Sequence, residues 1–79
     1  MRMKLFIMIQ TEPGREEEVV KKLRNYKKEG VENVYLVTGP YDLIAEARVP
    51  DEKELNKLVS SIRKKVDGIY STSTLISRE

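Results

Sequence analysis

Val37-Thr38-Gly39-Pro40-Tyr41-Asp42-Leu43 is the stretch whose reading decides the fold. Gly, Pro and Asp are turn formers, so it reads as the connection of a β-hairpin. The apolar flanks support this. Val34 and Leu36 precede the turn, and Leu43, Ala45, Ala47 and Val49 follow it at alternate positions. The spacing predicts strands over 31–37 and 42–49. In the second of these, Ile44, Glu46 and Arg48 point the other way, so that face is partly wet or paired with a neighbour.

A helix pattern lies on each side of this hairpin. Before it, Pro13-Gly14 ends an apolar run and opens a helix, because Pro is tolerated where the first N–H groups have no partner. Glu16, Glu17 and Glu18 suit the positive end of that helix, and Lys21, Lys22, Arg24, Lys27 and Lys28 suit the other end. Val19, Val20, Leu23 and Tyr26 form its apolar face, and Gly30 is its expected stop. The basic tail is better explained by dipole complementarity and ion pairs with the glutamates than by phosphate binding.

After the hairpin, Pro50-Asp51-Glu52-Lys53-Glu54 opens a second helix. Asp51 is placed to cap it, with Glu54 reaching back as in a capping box. Leu55, Leu58, Val59, Ile62 and Val66 give one stripe at helical spacing, the cleanest periodic signal in the chain. Asp67-Gly68 ends it. A last strand is predicted over 69–77, with Tyr70, Thr72, Thr74 and Ile76 on one face and Ile69, Ser71, Ser73 and Leu75 on the other.

The chain begins with a strand over 3–10 whose apolar run is almost continuous. Leu5, Ile7 and Ile9 point one way, and Phe6 and Met8 the other. Both faces want cover, and only two helices are available, which predicts a second subunit on the open face. The order β-α-β-β-α-β is that of an α+β, ferredoxin-like domain: a four-stranded antiparallel sheet with both helices on one face. It is expected to be a single domain over residues 1–79, without internal linkers.

Composition narrows the function. A chain of 79 residues buries a modest core, and oligomerisation is a common supplement. There is no Cys and no His, which removes disulfides, thiolate metal sites, and the usual general base and nucleophile activator. With 15 basic and 13 acidic residues the net charge is +2, no case for nucleic acid or an anionic membrane. Phe6 is the only Phe and Trp is absent, so the stacking aromatics of an RNA-binding sheet are missing. Charged residues make up 35% of the chain and there is a single Gln, a balance that leans toward a thermophile's ion-paired surface. No leader pattern or membrane-length apolar run is evident, so a cytoplasmic location is expected.

No triad, metal-ligand spacing or glycine-rich phosphate loop occurs, so neither a metal nor a cofactor is expected. What remains is the turn and the last strand. Backbone N–H groups at 39–42 can receive a carboxylate. Asp42 offers a charge for an ammonium, and Thr72, Ser73 and Thr74 offer hydroxyls. Together they suit a zwitterion such as a free amino acid. The same residues are also ordinary turn and strand formers.

The run from Val37 to Ile44, then Asp67-Gly68-Ile69 and Thr72-Ser73-Thr74-Leu75-Ile76, resembles the effector-binding domain of the leucine- and asparagine-responsive regulators, the Lrp/AsnC family. The similarity covers essentially the whole chain. It implies the same fold, dimers formed through the sheets, and assembly of dimers into rings, typically octamers. It also implies binding of small amino acids or related metabolites in clefts between dimers. By position, the contacts would come from Gly39, Tyr41 and Asp42 of the turn and from Thr72, Ser73 and Thr74 of the last strand. The first strand begins at Met3, so the chain resembles stand-alone members without the helix-turn-helix domain. Direct DNA binding is then not expected, and co-assembly with full-length regulators is. Pro40 departs from the pattern by removing one N–H from the turn. The competing readings are a small dimeric α/β-barrel enzyme, against which the missing His and Cys argue, and a ligand-free oligomerisation module.

Overall fold

A computed structural model describes residues 2–78. The elements are strand β1 (Met3–Thr11), helix α1 (Glu16–Arg24), strands β2 (Val31–Leu36) and β3 (Leu43–Val49), helix α2 (Glu52–Lys65) and strand β4 (Ile69–Ile76). The antiparallel sheet has the order β2-β3-β1-β4. This is the expected ferredoxin-like α+β arrangement.

The core lies between the sheet and the helices. Leu5, Ile7 and Ile9 of β1 and Leu43, Ala45, Ala47 and Val49 of β3 are buried at alternate positions. They meet Val19, Val20 and Leu23 of α1 and Leu55, Leu58 and Ile62 of α2. Burying a Leu, Ile or Val side chain stabilises the fold by about 1.5–3 kcal/mol. These two alternating strands and two helical stripes are therefore what the domain is assembled from.

Several ends differ from the sequence expectation. α1 stops at Arg24, and a 3-10 turn at Lys27–Glu29 fills the space before Gly30. Tyr26 thus packs on the core from outside the helix, its hydroxyl 3.3 Å from Ser61 Oγ. Gly30 is required there. Its φ is +116°, and an added Cβ would lie 2.4 Å from the Arg48 carbonyl oxygen. At α2 the Asp51 carboxylate accepts the Glu54 N–H at 2.9 Å, the expected cap. Glu54 turns instead toward Lys57, 3.8 Å away.

β2 and β3 are each one residue shorter at the turn than expected, and the Asp42 N–H bonds to the Ile9 carbonyl of β1 at 2.9 Å. In β4 the alternation breaks. Thr72, Thr74 and Ile76 pair with Ile9, Ile7 and Leu5, on the core side. A register shift at Gln10/Thr11 then brings Ile69 opposite Thr11. Ile69, expected on the face of Ser71 and Ser73, packs on the core instead, and Tyr70, expected on the face of Thr72, is 76% exposed.

The other sheet face carries Phe6, Met8 and Gln10 of β1, flanked by Ile44 and Glu46 of β3 and by Ser71, Ser73 and Leu75 of β4. Tyr35 of β2, paired with Ile44, is 48% exposed and Leu75 is 52% exposed. Glu46 sits among them with its charge answered. Lys4 Nζ is 2.7 Å from its carboxylate, and Asn33 and Tyr35 donate to it. The Lys4 hydrogen bond, helped by Asn33, holds the Glu46 carboxyl below its ordinary range.

Candidate functional site

The turn between β2 and β3 closes on a hydrogen bond from the Val37 N–H to the Asp42 carbonyl at 3.0 Å. The Asp42 N–H is committed to Ile9, and Pro40 has none. Thr38, Gly39 and Tyr41 keep N–H groups that make no hydrogen bond among the described residues. These three donors lie on one short loop, without a partner among the described residues.

Asp42 is half-buried and does structural duty. Its Oδ2 accepts the Thr11 N–H at 2.8 Å and the Thr11 hydroxyl at 3.3 Å. Oδ1 makes no hydrogen bond among the described residues. The Thr11 hydroxyl also lies 3.4 Å from Glu16 Oε1, which accepts the Gly14 N–H at 3.0 Å. Thr11 therefore ties the turn to the start of α1.

A hollow of about 440 Å³ opens between these two elements, walled by Glu16, Glu17, Leu36, Val37, Thr38, Gly39 and Asp42. Three acidic residues, Glu16, Glu17 and Asp42, and two turn residues, Thr38 and Gly39, are thus among its lining. Tyr41 is half-buried and is not one of its walls.

The β4 residues lie elsewhere in the protomer. Ile9 separates Thr72 from Leu43 across the sheet, two ladder spacings or roughly 10 Å. Thr74 lines a different groove, between β4 and the Leu55–Lys64 side of α2. Ser73 is exposed on the opposite sheet face, across from Met8. One protomer thus brings Gly39 and Asp42 together and keeps Thr72, Ser73 and Thr74 apart from them.

Two site residues were missed by sequence reasoning. Thr11 is one. The other is Gln10, whose amide nitrogen donates to the Pro40 carbonyl at 2.9 Å while its oxygen accepts from the Ser71 hydroxyl at 2.6 Å. Among the described residues no group of three His, Cys, Asp or Glu side chains is placed to hold a metal. No helix among them is long and apolar enough to cross a membrane.

Comparison with known proteins agrees with this architecture. The family model for the Lrp/AsnC ligand binding domain matches residues 4–79. A helix-turn-helix-type transcriptional regulator of Pyrococcus horikoshii is 34% identical over 71 residues, 90% of this chain and 44% of that protein. The chain thus spans less than half the length of the curated relatives it matches. The crystal structure of a hypothetical protein from Pyrococcus horikoshii superposes with a TM-score of 0.86 at 32% identity, covering 98% of this chain and 90% of that one. A Neisseria meningitidis transcriptional regulator, solved as a complex with L-Met, shares the fold with a TM-score of 0.83 at 15% identity, covering 98% of this chain and 50% of that one. With residues 4–79 matched by the family's model, this chain belongs to the Lrp/AsnC family, as a ligand-binding domain.

Proposed function

We propose that this chain is an amino-acid-sensing, oligomerising regulatory module. Its ligand is a free small amino acid or a related metabolite, received at the β2–β3 turn. The observation that carries the reading is the pairing of opposite preferences where the β2–β3 turn faces the start of α1. Asp42, Glu16 and Glu17 suit an ammonium, and the uncommitted N–H groups of Thr38, Gly39 and Tyr41 suit a carboxylate. The Neisseria regulator of the same fold, solved with L-Met, supports the ligand class. The role is binding and not catalysis, in keeping with relatives named as transcriptional regulators.

Thr72, Ser73 and Thr74 lie away from the turn within one protomer, so in this reading they reach a ligand from a neighbouring copy. That requires assembly. The open sheet face, with Phe6, Met8, Ile44, Tyr35 and Leu75, is the surface through which two copies pair. Dimers then associate into a larger ring, an octamer, with the ligand in clefts between dimers. Differential affinity of the ligand for two assemblies shifts their balance. Through the same surfaces the chain co-assembles with full-length regulators. Calorimetric titration of the protein with each natural amino acid tests the reading: heat saturating with one or a few of them supports it, and silence at millimolar concentration throughout defeats it.

A further inference from the structure

We propose that Gln10 is the positioning residue of the β2–β3 turn, its amide holding the Pro40 carbonyl and so fixing the loop that presents Gly39, Tyr41 and Asp42. Gln10 stands on the open face of β1, next to the register shift at Gln10/Thr11. Its two hydrogen bonds run in opposite directions along the sheet. The amide nitrogen donates to Pro40 at 2.9 Å, on the β3 side, and the amide oxygen accepts from Ser71 at 2.6 Å, on the β4 side. The Pro40 carbonyl fixes which end of the amide is the donor, since a carbonyl only accepts, and the Ser71 hydroxyl then gives its proton to the amide oxygen.

The turn needs such a support. Its own closure is the single Val37 to Asp42 bond, and Thr38, Gly39 and Pro40 are all exposed. Asp42 anchors the far end through Thr11 and Ile9. Pro40 lacks an N–H, so its carbonyl is its only backbone hydrogen-bonding group, and Gln10 takes it. The bridge also links the turn to β4 of the same protomer, because Ser71 directly precedes Thr72. A change in how β4 packs on the open face is thereby felt at the turn. Coupling of this kind is reciprocal for binding. The significance for ligand rests on the functional reading above; the support of the turn does not.

The test is amide hydrogen exchange by NMR on the intact protein without ligand. Gln10→Glu keeps the acceptor for Ser71 and loses the donor to Pro40 at neutral pH. Loss of one such bond is expected to lower protection of the Val37 and Asp42 amides about threefold to tenfold relative to wild type, with Ile7 and Ala45 in the core unchanged. Below roughly pH 4.3 the carboxyl protonates and regains an O–H donor, so protection returns toward wild type measured at the same pH. Gln10→Leu, which has no donor at any pH, shows the loss without the return. Unchanged protection at Val37 and Asp42, or an equal loss throughout the core, would overturn the assignment. Because no ligand enters this measurement, a negative amino-acid screen would defeat the functional reading and leave the role of Gln10 intact.

Discussion

The Asp42 carboxylate accepts the Thr11 backbone N–H at 2.8 Å, so a turn residue completes the hydrogen bonding at the end of the central strand. Thr11 is only 8% exposed, and water has little access to replace that acceptor. Asp42 thus satisfies β1 with Oδ2, and in the proposed function it also offers charge to the hollow beside Glu16.

The two roles separate by substitution. Asp42→Ala orphans the Thr11 N–H and is expected to cost about 1–3 kcal/mol in urea unfolding. Asp42→Asn keeps a carbonyl acceptor and most of the stability, but removes the charge. Its amino-acid affinity should fall about tenfold or more, the worth of a charged hydrogen bond. Equal stability loss in both variants would contradict this division.

Gly30→Ala tests the close approach of the 3-10 turn to β3. At φ +116°, with the Arg48 carbonyl oxygen 2.4 Å from the new Cβ, the backbone has to move. The strain alone is about 1–3 kcal/mol, and the clash adds to it. Thermal melting should show a clear drop. Gly14, at φ +81° with open space around it, should be milder when replaced by Ala.

Glu46 makes acid stability measurable at one residue. Lys4 holds its folded carboxyl below the ordinary range. The stabilisation is therefore complete above the unfolded value, roughly pH 4.3, and is lost as pH falls through the lowered folded value. Glu46→Gln should flatten the decline in stability below about pH 4.3 relative to wild type. Part of the slope remains, because Glu18, bonded to Arg15, is lowered in the same direction. An unchanged acid profile would mean the Lys4–Glu46 contact is not held in solution.

Met8 lies between Ile44 and Ser73 on the open sheet face. Met8→Lys places a charge in the proposed pairing surface, where burial without a partner is costly. Sedimentation should show dissociation toward monomers with the far-ultraviolet circular dichroism unchanged. Retention of the wild-type mass would exclude this face from the assembly.

The architecture was legible in the sequence because its signals are local. The Leu55–Val66 stripe, the Asp51 cap and the alternation through Leu43–Val49 each lie within one element, and periodicity reports burial directly. The boundaries that slipped depend on neighbours. Gly30 was a sound stop signal, but nothing in 25–29 announces that a tight turn and not helix precedes it. The face assignment in β4 failed at Ile69 and Tyr70 because a register shift belongs to a strand pair, not to a strand. The candidate site was half legible. Gly39 and Asp42 are marked by turn chemistry, whereas Gln10 meets partners 30 and 61 residues away and Thr11 meets Asp42 31 residues away. Contacts of that separation leave no trace in a single sequence.

Light-scattering mass in solution, with melting temperature, measured across the twenty natural amino acids separates a ligand-responsive assembly from an inert one. The expected result is an assembly larger than a dimer whose mass or melting temperature responds to one or a few of them, since a ligand that binds one assembly state stabilises it by mass action. A plain dimer indifferent to all twenty at millimolar concentration would contradict it, and Asp42 would then be a structural cap and nothing more.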